Sequence, residues 1–176
     1  MTADDLTRIA VTGSAVRTAE EPLLAAGRGP ELMRAAAWAL AEHAAALLRE
    51  RGPVAGTTVA ALVGPGNNGG DALFALAFLR RRGVAAVAVP VRRDDDGAPR
   101  WHAEGWAALR AVGGRCADAV PFEAALVVDG VLGTGFSGEY ALPAAARALP
   151  ADALVLACDV PSGVDADTGE VRGEAL

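Results

Sequence analysis

Three short stretches hold most of the side chains able to do chemistry. They are Gly64-Pro65-Gly66-Asn67-Asn68-Gly69-Gly70-Asp71, Asp129-Gly-Val-Leu-Gly-Thr-Gly-Phe-Ser-Gly-Glu139, and Asp159-Val-Pro-Ser-Gly-Val-Asp-Ala-Asp-Thr-Gly169. Glycines allow close backbone approach, and successive amides at the start of a helix form an anion nest, so the first stretch suits a pyrophosphate. The other two each open on an Asp. Carboxylates with hydroxyl and amide oxygens nearby can move a proton on a ligand, or hold a hard cation. Asn68, Asp129 and Ser162 carry the oxygens for the second task, and residue types alone do not divide the two. As plain structure the same stretches read as a glycine-rich turn, a mobile turn capped by Asp129, and an Asx-type turn stiffened by Pro161.

Other chemistries are excluded. Every basic residue is Arg and none is Lys, which removes a Schiff base, a catalytic Lys and the P-loop Lys. GxxxxGK[ST] does not occur, and Asp165-x-Asp167-x-Gly169 lacks the later Glu of an EF-hand. His43 and His102 fall away from the expected strand tips, so no Ser-His-Asp constellation forms. A net charge of −6 does not suit a nucleic-acid partner. Cys116 and Cys158 have no metal or CxxC spacing, and Cys158 reads as a buried, inert thiol. No stretch approaches the ~20 apolar residues that span a bilayer, and the acidic start is no signal peptide. A membrane partner is not expected, and the cytoplasm is the expected location.

These residues need a scaffold that brings them together. Ser14 can cap a first helix carrying Val16, Ala19, Leu23 and Leu24, and Pro30 and Glu31 start a longer one that ends at Gly52-Pro53. Within the longer one His43 reads as a packed structural histidine. Strands are expected over 57–63, 84–91, 126–128 and 153–158, and helices over 71–82, 101–112 and around 142–149. Trp101 and Trp106 read as packing residues, and 92–99 as a solvated loop. Strands alternating with helices and apolar on both faces imply a mostly parallel sheet. The expected architecture is α/β: a Rossmann-like three-layer α/β/α sandwich with extra N-terminal helices, a single domain over 1–176. Parallel strands then deliver all three loops to one edge, where ligands bind in such folds.

The motifs Asn67-Asn68-Gly69-Gly70-Asp71, Asp129-x-x-x-Gly133-Thr134-Gly135 and the stretch from Asp159 to Gly169 resemble, in order and spacing, the hallmarks of the NAD(P)H-hydrate epimerase family (YjeF N-terminal domain). The resemblance runs from about Val16 onward. It implies interconversion of the R and S forms of NADHX and NADPHX, the C6-hydrated reduced cofactors. It also implies that Asn67, Asn68, Gly69, Gly70 and Asp71 contact the dinucleotide. Gly133, Thr134, Gly135, Phe136, Ser137, Gly138, Glu139 and Asp159 would contact it too. A potassium ion would lie on Asn68, Asp129 and Ser162.

Ala72 departs from the usual Gly, and Leu32-Met33-Arg34-Ala35-Ala36-Ala37 departs from the family's LMENAG-like helix. Family domains continue past Thr168-Gly169, so the chain reads as truncated at its C-terminal end. It reads as the first part of a bifunctional protein with a fused ADP- or ATP-dependent dehydratase domain, and a homodimer is among its expected assemblies. The rival reading is a non-catalytic dinucleotide-binding or interaction scaffold of the same fold. Retention of Asn68, Asp129, Asp159 and Ser162 together favours the enzyme. With no Lys and no well-placed His, the acid/base candidates are Asp129 and Asp159. A cation on Asp129 commits its charge and leaves Asp159 the role.

Overall fold

Apolar runs without polar alternation require strands covered on both sides, and the chain folds accordingly. The computed structural model describes residues 11–176. Its strands are β1 (Thr58–Val63), β2 (Ala85–Pro90), β3 (Arg115–Cys116), β4 (Ala124–Gly130) and β5 (Leu154–Ala157). They form one sheet in the order β3-β2-β1-β4-β5, with every pairing parallel. The chain builds outward from β1 to β3, then returns to β1's other side for β4 and β5. That reversal puts a crevice at the carboxyl ends of β1 and β4, the expected ligand position in an open sheet.

Four helices are described: α1 (Gly13–Ala25), α2 (Gly29–Arg49), α3 (Asn67–Arg80) and α4 (Ala103–Ala111). Strand side chains alternate between two cores. Val59, Ala61, Val63, Ala86, Ala88, Leu126 and Val128 face the helices α2, α3 and α4. Ala60, Leu62, Val87, Val89 and Val127 face the other way, against Val120, Tyr140 and Ala146. The central helix α3 packs on β1, β2 and β4 with α2 and α4 beside it, and so it is apolar nearly all round. Its approach is close because Ala72 lies over Gly130, where any Cβ would stand 2.5 Å from Ala72. The Ala at the family's usual Gly position is thus packed against a glycine.

Several expectations are corrected. Thr12, rather than Ser14, caps α1 by accepting from the Ala15 amide at 3.2 Å. His43 is exposed, its Nδ1 paired with the Ala39 carbonyl at 2.9 Å. The helical period turns Ala37, Leu40, Ala41, Ala44, Ala45 and Leu48 inward and leaves residue 43 outside that stripe. The helix expected around 142–149 is one 3-10 turn, Ala144–Ala146. Pro143 and Pro150 bracket a segment too short to sustain α-helix. Edge strand β3 was not expected, since Arg115 and Cys116 have no apolar pattern. Trp101 and Trp106 do pack, stacked with ring centroids 4.4 Å apart.

Candidate functional site

The first glycine-rich stretch is a tight strand-to-helix transition. Gly66 is the extended N-cap of α3, so Asn67, Asn68, Gly69 and Gly70 form the helix's first turn and not a loop. A Cβ on Gly64 would collide with the Val131 carbonyl, and one on Gly69 would collide with the Gly64 carbonyl. These contacts bring α3's N-terminus hard against the tips of β1 and β4. Gly70 donates to the Gly66 carbonyl at 3.2 Å, which leaves the amides of Asn67, Asn68 and Gly69 as the open donors of the helix end. Gly69→Ala is expected to lower stability by about 3 kcal/mol through this backbone overlap. Urea denaturation checks it, and a loss below about 0.5 kcal/mol would show that the turn relaxes freely.

Beneath the crevice lies a buried polar network. Asp129 at the tip of β4 is fully buried, as is Ser162 in the loop after β5. Asp129 accepts the Ser162 amide at 2.7 Å, the Ser162 hydroxyl at 2.6 Å and the Val131 amide at 3.2 Å. The Ser162 Oγ in turn accepts from the Leu132 amide at 2.9 Å. Asn68 donates through Nδ2 to the Leu132 carbonyl at 2.6 Å. The backbone of one residue, Leu132, therefore joins Asn68 to Ser162 and, through Ser162, to Asp129. Asn68 Oδ1 is buried with no protein partner, which is costly unless something else coordinates it. The donor set is oxygen, without imidazole or thiolate. No cluster of three His, Cys, Asp or Glu able to hold a metal occurs among the described residues. The arrangement fits a hard cation that takes neutral oxygens and one carboxylate.

Above this network a cavity of about 900 Å³ opens, walled by α1, α2, α3 and the loops after β4 and β5. Asn67, Asn68, Asp71, Gly133, Thr134, Gly135, Phe136, Ser137 and Asp159 line it. Gly69, Gly70, Gly138 and Glu139 do not. Gly69 and Gly70 are packed behind the wall, where a Cβ on Gly70 would press on Met33 and His102 at 3.0 Å. The wall also includes Arg17, Glu20 and Leu24 of α1, and Met33 of α2, which sequence reasoning did not place there. An Arg on an otherwise acidic helix was the one available signal.

The third loop is held by its own acids. Asp165 accepts the amides of Asp167 and Thr168, each at 2.9 Å, an Asx-type turn that draws its carboxyl below the ordinary range. Asp167 accepts the Ser14 amide at 2.8 Å and pairs with Arg17 at 3.3 Å, tying α1 to this loop. Asp159 Oδ2 accepts the Thr134 amide at 3.2 Å, and a Cβ on Gly133 would collide with that oxygen.

Three carboxylates share the cavity: Glu20, Asp71 and Asp159. Burial first, then the charges of Asp159 and Glu20, push the Asp71 carboxyl up from 3.8 to about 7. Its Oδ1 is buried and unpartnered. The Cys158 thiol is pushed well up, mainly by burial and then by Asp71, Asp159 and Asp129, which leaves it protonated and unreactive.

A raised carboxyl means that the folded state holds a proton which the unfolded chain has released. The stability Asp71 contributes is full below about pH 4 and is lost as pH rises through about 7. Relative to Asp71→Asn, the wild type should lose about 2 kcal/mol over that window, after allowance for screening at a partly exposed site. Denaturant midpoints of both proteins from pH 4 to 8 test this. Parallel curves would show that Asp71 titrates like an exposed carboxylate.

Residues 29–176 match the family described as YjeF-related protein N-terminus. A Mycobacterium tuberculosis protein named bifunctional NAD(P)H-hydrate repair enzyme Nnr is 46% identical over 166 residues, covering 92% of this chain and 34% of that protein. A Microbacterium testaceum protein named NAD(P)H-hydrate epimerase is 45% identical over 172 residues, covering 91% of this chain and 62% of that protein. The chain thus spans only part of the length of the relatives it matches. The crystal structure of yeast ynu0 shares the fold with a TM-score of 0.74 at 21% identity, over 96% of this chain and 76% of that one. Because the family match takes in α2, the whole sheet and all three loops of the cavity, this chain belongs to the YjeF-related protein N-terminus family.

Proposed function

We propose that the chain binds hydrated NADH or NADPH and interconverts the R and S epimers at C6. The observation that carries this reading is the pairing of Asp71 and Asp159 in one cavity with the open N-terminus of α3. The names of the relatives, which include NAD(P)H-hydrate epimerase, support it. The C6 hydroxyl sits on a carbon bonded to the ring nitrogen, so the C6–O bond opens once the departing oxygen gains a proton. Asp71, with a carboxyl near 7, holds that proton at neutral pH. Water returning to the opposite face gives its proton to Asp159, and transfer from Asp159 back to Asp71 restores the site. Atoms and charge balance, and the product is the other epimer. The helix end receives the diphosphate.

Potassium belongs to this proposal. Asn68, Asp129 and Ser162 would hold it, with Asn68 Oδ1 as the acceptor that otherwise lacks a partner. When bound, the ion supplies a fixed positive charge that offsets the acidic site. The cytoplasm as location, where reduced nicotinamide nucleotides are pooled, is part of the same reading. So is a fused dehydratase domain acting on the epimer this domain delivers, in keeping with the word bifunctional in the mycobacterial name.

Incubation of the chain with purified S-NADHX, in potassium and in sodium buffers, tests the activity by chromatography of the R form. Appearance of R-NADHX well above the protein-free rate is expected. Binding without acceleration would favour the scaffold reading.

A further inference from the structure

The cavity presents a charge problem for the ligand assigned to it. A dinucleotide brings a doubly charged diphosphate, whereas the ionisable side chains on the wall are Glu20, Asp71, Asp159 and Arg17. Arg17 is the one cationic side chain lining the cavity among the described residues. It stands on α1, one of the helices that wall the cavity. Its guanidinium donates through Nη1 to the Thr134 carbonyl, in the loop after β4, and through Nη2 to Asp167 at 3.3 Å. Those two bonds use two of five N–H donors, and the side chain remains about half exposed. The fork is therefore held in place with donors to spare.

The helix that carries Arg17 is itself docked by its N-terminus. Thr12 caps it, and Asp167 accepts the Ser14 amide at 2.8 Å. A Cβ on Gly13 would press on Ala166 at 3.0 Å and on Thr134 at 3.2 Å, so the helix end lies flush against both loops. The rest of α1 is largely exposed. Its firm attachment is thus the end that positions Arg17, and Asp167 is the positioning residue.

We propose that Arg17 binds the diphosphate of the dinucleotide from the α1 side of the cavity, across from the open amides of α3. This rests on the function proposed above. A planar guanidinium with free N–H groups matches phosphate oxygens in pairs, and a partly dehydrated cavity strengthens the contact. The group also offsets Glu20 and Asp159, which would otherwise repel the ligand.

ADP-ribose, which has the diphosphate and lacks the reacting ring, is the probe, with affinity read by calorimetry. Arg17→Ala should weaken it by about tenfold or more and raise KM for NADHX by a similar factor, with kcat within about threefold. Arg17→Lys should recover part of the affinity. Wild-type affinity should fall more steeply with added salt than that of Arg17→Ala. Asp167→Asn loosens the docking of α1 but keeps the guanidinium, and should cost less than Arg17→Ala. Equal losses from the two would reduce Arg17 to a latch for α1 and overturn the proposal, as would unchanged affinity in Arg17→Ala. If the wild type turns over NADHX while Arg17→Ala binds ADP-ribose normally, only this inference fails. If the wild type neither binds ADP-ribose nor turns over NADHX, the function proposed above fails with it.

Discussion

Asp159→Asn should slow epimerisation by about 10²-fold or more while the protein stays folded and binds ADP-ribose within about threefold of the wild type. The asymmetry follows from what Asp159 touches. Its Oδ2 accepts the Thr134 amide, and an Asn carbonyl can accept the same bond, so the loop after β4 keeps its place. The substitution removes the carboxylate's capacity to take a proton, and it removes the charge that helps hold the proton on Asp71. Asp71→Asn should be comparably slow for the complementary reason, since it removes the donor.

The pH profile separates the two roles. With Asp71 as the acid, kcat/KM falls as pH rises through about 7. In Asp159→Asn the residual activity should lose its alkaline limb to a lower pH, because one of the charges raising Asp71 is gone. Asp71→Asn should show no such limb. An Asp159→Asn protein that turns over within about threefold of the wild type would remove Asp159 from the chemistry and return attention to Asp129 or to water.

Asp129→Ala should cost about 3–5 kcal/mol of stability, the largest loss expected of any single side chain in the site. Asp129 is fully buried and satisfies three donors: the Val131 amide, and the amide and hydroxyl of Ser162. Its removal leaves two backbone N–H groups and a hydroxyl unpaired in the interior, at the seam where the loops after β4 and β5 meet. Ser162→Ala, which removes a hydroxyl but spares the carboxylate's backbone bonds, should cost about 1–2 kcal/mol. Guanidinium denaturation of the three proteins gives the ranking. If Asp129→Ala loses less than about 1 kcal/mol, the seam is hydrated and the network does not hold the loops together. If Ser162→Ala is the worse of the two, the hydroxyl rather than the carboxylate organises it.

The strands and their polar tips were legible in the sequence because both depend on local chemistry. Runs such as 57–63 and 126–128 read as buried strands, and Asp or Gly after such a run reads as its end, although the structure extends the second strand to Ala124–Gly130. Parallel strands then bring Asn68, Asp129 and Ser162 to one edge whatever the details, and the structure links them through Leu132. The start of α3 was misplaced for a physical reason. Asn and Gly have poor helix propensity, so Asn67, Asn68, Gly69 and Gly70 read as loop. Packing against Gly64 decides otherwise, and only the fold supplies that contact. The two-residue β3 is likewise set by its neighbour β2 and not by its own side chains. The placement of α1 against the cavity, which brings Arg17 and Glu20 to the site, hangs on hydrogen bonds to Asp167 and Thr134 from distant loops. The proton affinity of Asp71 is the clearest case. The residue type specifies a carboxyl of about 4, and burial together with Asp159 and Glu20 moves it to about 7. Local sequence dictates which groups are present and which elements carry them, but desolvation and charge proximity exist only once distant segments meet.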